Sequence, residues 1–400
     1  MEHSSFRTEE SSPLNRSAGE LSASFEAKEV RAALIAINRL PRVGAAKVRS
    51  LERAYGSLLE LPKHSPAEIA KRCKDLSEPM VVEILQAMAS RWAEQEEARA
   101  KAKNVRILTW LDEAYPEDLR KLSSAPLCLY CVGDVSLLRQ PQIAIIGTRA
   151  ASLYGKEQAQ RFAMRLASAG IHVTSGLAEG IDAAAHEGAL LAGTSAPGKT
   201  IAVLGAALDE VYPASQKPLA IRIVRSGGLV ISEYPFGRHA DQKTFPQRNR
   251  IVAAMTKGTL VVETPTRGGT LITANYALEF QKSLYALPGR VDAHSFSGNL
   301  RLIRSGEARL VASPEHILDE FSALDLKEGR PEPIVVQPEI PLGLSPEETQ
   351  IYKALGTDEL SVDELTLRTG LSSVAVTVAL VGLRFKRRVS DRPGGRVRRT

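Results

Sequence analysis

The sequence is poor in cysteine, has no long apolar run and shows no cluster of nucleophile, base or metal-ligating residues. Its three cysteines, Cys73, Cys128 and Cys131, suit a reducing compartment. Cys128 and Cys131 form a C-x-x-C, but P-L-C-L-Y-C-V-G reads as a strand, where positions i and i+3 point to opposite faces. Without a second pair there is no zinc site, and the two read as buried strand cysteines. No apolar stretch approaches the roughly 18–20 residues of a membrane span. The polar N-terminus shows no signal peptide. No cofactor is expected.

What is present leans toward an anionic partner. The net charge is +6, and 44% of the residues are apolar, enough for real cores. Basic residues crowd the C-terminal segment Arg384–Arg399, read either as nucleic-acid-binding surface or as solvated tail. At 400 residues two or three domains are expected. Residues 1–25 are rich in Ser, Glu and Arg and read as disordered. Residues 26–103 have helical periodicity, and Pro41–Lys47 with the helix ending near Tyr55 and Gly56 has the layout of a helix-hairpin-helix. In that motif, hairpin amides meet a DNA phosphate. Residues 104–325 alternate short apolar runs with helical stretches. A Pro- and Glu-containing linker, Lys327–Leu342, leads to a small unit over 344–400. Capping boxes at Ser345/Glu348 and Ser361/Glu364, a turn at Thr369–Leu371 and a third helix to Phe385 suggest a winged helix. That third helix is nearly all apolar, so non-specific DNA contact through the wing, or a protein partner, is favoured over base reading.

The middle region carries the chemistry. Continuous apolar strands (143–146, 171–174, 201–204, 229–232, 259–262, 283–287) alternating with helices such as Gly155–Ala169 and Gly180–Leu191 predict an α/β fold: a doubly wound, mainly parallel, Rossmann-like sheet covered on both faces. Ligands of such sheets bind outside the carboxyl ends of the strands. Three small polar loops fall there: Gly147–Arg149, Thr174–Gly176 and Arg267–Thr270. F-P-Q-R-N-R, Phe245–Arg250, is expected beside them. Pro246 suits a first helical turn, and Arg248 and Arg250 then project near the helix start, where amides also favour anions. Two arginines so placed oppose the helix dipole, which makes a purely structural role for them weak. Phe245 is either a base-stacking platform or a core residue stapling the helix start. An arginine-dense segment facing such loops, with no chemistry beside it, points to holding a nucleic acid rather than cutting one.

Three other motifs compete. Gly193–Thr200, G-T-S-A-P-G-K-T, matches the Walker A pattern, but it follows a helix and opens a strand, which puts Lys199 on the wrong edge of the sheet. Asp182 and His186 share a helix face, either as an acid/base pair or, as favoured here, as a structural pair fixing the helix to its neighbour. Arg267–Thr270 opens a helix as an anion cradle and is similar to the Gly-Gly-Thr turn of nucleoside-monophosphate phosphoribohydrolases. A nucleotide hydrolase is therefore the alternative reading, with Glu279 or Asp182 as its carboxylate, although Glu279 lies further along the helix than that signature requires.

Taken in order, I-G-T-R, S-G-L-A-E-G-I-D-A-A-A-H, K-T-I-A-V-L-G, I-S-E-Y-P, F-P-Q-R-N-R-I-V-A, R-G-G-T-L-I-T-A and G-N-L-R-L-I resemble the DprA (Smf) family of DNA-processing proteins, strongly over about 105–320. The resemblance implies an extended Rossmann domain in a cytoplasmic protein that is not an enzyme. Such a protein binds single-stranded DNA, loads the recombinase RecA onto it, supports natural transformation and often dimerises. On that reading Arg149, Lys243, Arg248 and Arg250 contact phosphates, Phe245 stacks on a base, and the Ser175 and Thr270 loops donate hydrogen bonds. Gly176, Asn249, Arg267 and Gly269 complete the interface. The chain departs from the family pattern at Thr148, at Gly268, around Phe280 and Gln281, and at Glu179, an acid expected to weaken one DNA contact.

Overall fold

The computed structural model describes residues 18–323, 343–355, 360–386, 388–392 and 395–399. It divides into two compact units, Met1–Ile334 and Val335–Thr400. The linker expected at Lys327–Leu342 lies outside the described residues, as does the N-terminal segment up to residue 17. Structure begins earlier than the expected residue 26, because helix α1 already starts at Ala18.

The first unit opens with five helices: α1 (Ala18–Ile37), α2 (Ala45–Tyr55), α3 (Pro66–Arg72), α4 (Glu78–Ala89) and α5 (Trp92–Ala102). Ser65 and Glu68 close a reciprocal capping box that starts α3. These helices share one compact unit with the α/β region rather than standing apart from it. Arg31 of α1 donates to Asp112 (2.6 Å) and to the Ile107 carbonyl (2.7 Å). Glu96 of α5, almost fully buried, accepts the Phe236 N–H at 2.9 Å. Arg49 of α2 turns inward as well, donating to the Leu122 carbonyl at 2.7 Å and lying over the Trp110 ring at 5.1 Å.

Nine strands form one sheet: β1 (Arg106–Thr109), β2 (Cys128–Gly133), β3 (Gln142–Ile146), β4 (His172–Ser175), β5 (Thr200–Leu204), β6 (Leu229–Ser232), β7 (Gly258–Val261), β8 (Ser283–Ala286) and β9 (Arg309–Leu310). Their spatial order is β1-β2-β6-β5-β4-β3-β7-β8-β9. From β6 to β9 every pairing is parallel; β1 with β2 and β2 with β6 are antiparallel. The sequence pattern anticipates six of the parallel strands to within a residue or two, but not β9, whose two residues are both exposed. Of the antiparallel edge, β2 was expected as a strand from P-L-C-L-Y-C-V-G, but β1, a four-residue run with one exposed arginine, was not. Cys128 and Cys131 are buried free thiols on β2, and burial pushes both up from the ordinary thiol range.

The covering helices are α6 (Glu117–Arg120), α7 (Leu153–Ser168), α8 (Ile181–Leu191), α9 (Lys217–Arg225), α10 (Thr244–Met255), α11 (Gly269–Glu279), α12 (Ser297–Arg304) and α13 (Glu315–Ala323). Side chains alternate across a strand, and β3 shows the consequence. Ile143 and Ile145 pack in one core with Phe162 and Leu166 of α7 and Ala185 of α8. Ala144 and Ile146 pack in the other with Ile251 of α10 and Ala274 of α11. The sheet is thus wound on both faces. Asn299 of α12, fully buried, stitches its far side. The carboxamide donates to the Val261, Val262 and Leu287 carbonyls and accepts the Thr264 N–H at 2.8 Å. This explains the G-N-L-R-L-I motif without a ligand.

The second unit holds α14 (Pro346–Leu355), β10 (Leu360–Ser361), α15 (Val362–Thr369), α16 (Ser373–Phe385), β11 (Val389–Arg392) and β12 (Arg396–Arg399), with strand order β10-β12-β11. This is the winged-helix layout. Ser361 and Glu364 form the capping box of α15, and Gly370 ends it in the left-handed region at φ 70°. Among the described residues no single helix is long and apolar enough to cross a membrane.

Candidate nucleic-acid interface

The chain leaves β3 with its next strand on one side and, after β6, returns to place β7 on the other. This reversal splays the loops at the carboxyl ends of neighbouring strands and leaves a crevice between them. A cavity of about 510 Å³ lies there, lined by Gly147–Arg149, Gly176, Asp182, Phe245, Arg248, Asn249 and Arg267–Thr270. Loops from β3, β4 and β7 and the start of α10 therefore meet, as the sequence suggested.

Close backbone approach builds the crevice. Gly180, at φ 81°, begins α8 against the first loop, and a Cβ there would sit 2.4 Å from the Thr148 carbonyl oxygen. A Cβ on Gly176 would sit 2.4 Å from the Arg248 guanidinium. Only glycine leaves room for that arginine. Between them Leu177, fully buried, is held at φ 55°, where a branched side chain is strained.

Arg248 is only 4% exposed and forms the floor of the cavity rather than its wall. Its guanidinium donates to the carbonyls of Gly176 and Val203, at the ends of β4 and β5, and its Nε to the Asn249 side chain at 3.1 Å. Burial lowers its pKa from the usual arginine value, and the Asp182 charge opposes that shift. Asp182 is correspondingly raised by burial, with Arg248 pulling it back. Its carboxylate accepts the N–H groups of Gly176 (3.2 Å) and Ala178 (3.4 Å).

Arg250 departs from expectation. Its guanidinium turns away from the cavity into a two-pronged pair with Glu233 (2.8 and 2.6 Å) and donates to the Ser124 carbonyl at 2.9 Å. The acid of I-S-E-Y-P thus neutralises one arginine of F-P-Q-R-N-R, and two strand-end carbonyls satisfy the other. Both arginines have the structural explanation that the dipole argument discounted. Ser175 departs too: it is fully buried and its hydroxyl donates to the Ile145 carbonyl at 2.6 Å. Lys243 is exposed but does not line the cavity. The start of α10 is fixed by Asp241, whose carboxylate accepts the N–H groups of Lys243 and Thr244 at 2.7 and 2.9 Å. Glu233 entered the sequence reading only as a letter of I-S-E-Y-P with no role assigned, and Asp241 not at all, because an isolated acid carries no pattern.

The exposed wall belongs to Arg149, Arg267 and the start of α11. Arg149 lies over the half-buried Phe245 ring at 5.0 Å, and Tyr212 tilts against the same ring at 5.6 Å. Phe245 is both things the sequence allowed, closing the start of α10 and presenting an aromatic surface at the rim. Gly268, at the N-cap of α11, provides no side-chain cap. The first amides of that helix, at Gly269 and Thr270, therefore adjoin the cavity as anion donors. Asn249 ties α10 to this turn through a 3.4 Å bond to the Gly269 carbonyl. Glu179 points elsewhere, accepting from Ser215 at 2.8 Å, and does not line the cavity.

Of the competing motifs, Asp182 and the Gly-Gly-Thr turn line this crevice, while Lys199, His186 and Glu279 fall outside it. Lys199 lies beside the amino end of β5, its ammonium donating to the Thr194 carbonyl at 2.5 Å. Glu279 ends α11, about 15 Å along the helix from the Gly-Gly-Thr turn. His186 is fully buried with Nδ1 2.7 Å from the Thr200 hydroxyl. Asp182 and His186 therefore each fix α8 to a different neighbour.

Two family models match the chain: one described as DNA recombination-mediator protein A over residues 106–322, the other as the DprA winged helix domain over 336–395. Protein Smf of Synechocystis is 33% identical over 327 residues, spanning 74% of this chain and 81% of that protein. The DNA processing protein DprA of Streptococcus pneumoniae is 39% identical over 211 residues, 53% of this chain and 72% of that one. The X-ray structure of the Streptococcus pneumoniae protein matches with a TM-score of 0.57 at 30% identity, covering 70% of this chain and 98% of the other.

Proposed function

The chain belongs to the DNA recombination-mediator protein A family, and from that premise we propose that it holds single-stranded DNA along the carboxyl edge of its sheet. The observation that carries the proposal is the convergence of Arg149, Arg267, the buried Arg248 and the open start of α11 on one cavity. Exposed guanidiniums and helix-start amides are donors matched to phosphate. The aromatic cluster of Phe245, overlaid by Arg149, and the tilted Tyr212 offers ring surface on which an unpaired base can stack, whereas a duplex keeps its bases inside. Asp182 is the one carboxylate lining the cavity among the described residues, and loop amides already engage it, which favours holding over hydrolysis.

Its finer role, passing the strand to a recombinase of the RecA type during natural transformation, rests on the family resemblance, as do homodimerisation and a cytoplasmic location. Lys243 belongs to the proposed interface as an exposed charge beside the α10 start. Arg250 and Ser175 support it from beneath. Neutralising about three phosphates gives a log K against log[salt] slope of roughly −2 for a single strand. The test is a salt-dependent titration of single-stranded DNA against Arg149→Ala/Arg267→Ala. A weaker and flatter response is expected; unchanged affinity and slope overturn the site.

A further inference from the structure

α16 occupies the position of a recognition helix, yet its chemistry is unsuited to nucleic acid. One face, Val376, Ala379, Leu380 and Leu383, fills the core of the second unit. The other bears Val374, Val378, Val381 and Phe385, exposed by 72%, 67%, 51% and 91%. Their 4-3-4 spacing places them in one stripe along the helix. None of the four carries a group that hydrogen-bonds a base edge or a phosphate. An exposed apolar stripe bordered by charge marks a contact surface rather than a solvated face.

The border decides the partner. From Arg384 to Arg399 the sequence has eight basic residues and one acid. That segment begins in the last turn of α16 and continues through β11 and β12. Ion pairs within the unit partly offset this charge, among them Arg384 with Asp391, Lys386 with Glu348 and Arg396 with Glu364. A second copy brings the same excess of positive charge to the contact. Nucleic acid satisfies the charge but not the stripe. A helix with an apolar face and acidic flanks satisfies both. We propose that the exposed face of α16 docks an acidic amphipathic helix of a partner protein, its apolar residues covering Val374, Val378, Val381 and Phe385.

The test uses the full chain and a labelled synthetic peptide about four turns long, with leucines at the 4-3-4 spacing and glutamates on its flanks. Its controls are a scrambled peptide of the same composition, a lysine-flanked version, and single- and double-stranded DNA. Fluorescence anisotropy is expected to show the acidic helix binding at least about tenfold more tightly than either control peptide. Val378→Asp, checked for folding by circular dichroism, is expected to weaken that binding by about tenfold and leave single-stranded DNA affinity unchanged. Val381→Asp serves as a second, independent variant. Equal binding of all three peptides overturns the proposal. So does duplex binding that Val378→Asp abolishes, or self-association of the chain that the same substitution removes.

Discussion

At the carboxyl edge of the sheet, Gly147–Arg149 and Arg267–Thr270 leave β3 and β7 and turn into helices; at the amino edge, Gly193–Thr200 leaves α8 and enters β5. The loops are alike in composition, each small, glycine-rich and basic. The second aims open helix-start amides at the crevice and the first brings Arg149 to it, whereas the third meets the blunt end of a strand and closes on itself through Lys199 and Thr194. Their buried charges differ too. The carboxyl edge keeps Arg248 and Asp182. The amino edge keeps two neutral histidines: His172, which accepts the Lys199 N–H at 2.8 Å, and His186 on Thr200. Composition makes a loop suitable for an anion; the direction in which the chain crosses the sheet makes it a site.

Acid should separate the edges most strongly. Burial pushes His172 down to about 4 and His186 to about 3. The unfolded chain protonates both below its ordinary value near 6.5 while the folded chain does not, so stability falls as pH drops from about 6.5 toward 4. At 1.36 kcal/mol per unit the two together lose on the order of 7 kcal/mol. Asp182 acts with the opposite sign: its raised pKa stabilises the protonated folded form, a contribution lost as pH rises. Urea midpoints between pH 7 and 4 should fall steeply in the wild type and less in His186→Gln. Equal slopes would remove the histidines from the account.

Arg248→Ala is the next largest effect. It strips two strand-end carbonyls and Asp182 of their cation, for a loss of about 3 kcal/mol, read as a lower melting temperature together with lost DNA binding. Glu233→Ala leaves Arg250 largely buried without its acid, and about 2 kcal/mol of stability should go. The salt slope of DNA binding should survive it, since Arg250 faces away from the cavity. A changed slope would return Arg250 to the interface.

Arg149→Ala should reverse that pattern. Stability should stay within about 0.5 kcal/mol, while single-strand affinity falls about tenfold and the slope flattens by about 0.7. Smallest of all, Lys199→Ala at the amino edge should change neither melting temperature nor affinity for DNA or ATP by a measurable amount. ATP binding that depends on Lys199 would dissolve the contrast between the edges.

Much of this was legible from residues alone. The apolar runs identify six parallel strands because a strand covered on both faces must be apolar throughout. Helix order around Gly193–Thr200 was enough to set the Walker-like match aside, since an anion site needs a helix start and that loop has none. The roles inside F-P-Q-R-N-R were less accessible. Arg248 and Arg250 are two positions apart on one helix, yet one floors the crevice and the other pairs with Glu233, 17 residues back along the chain. No local pattern distinguishes them, because their partners are carbonyls and an acid on other strands.

The sequence by itself determined the α/β class, the edge of the sheet where the candidate interface was expected, and the winged-helix layout of the second unit. Each follows from hydrophobic period, turn chemistry and capping, which act over a few residues. Tertiary structure alone decided which charges face solvent, that Ser175 and Arg250 are spent internally, that Glu179 leans away from the cavity, and that α16 keeps an apolar face exposed. Burial and ion pairing depend on what other parts of the chain bring alongside, and that is fixed only when the sheet closes and its helices pack.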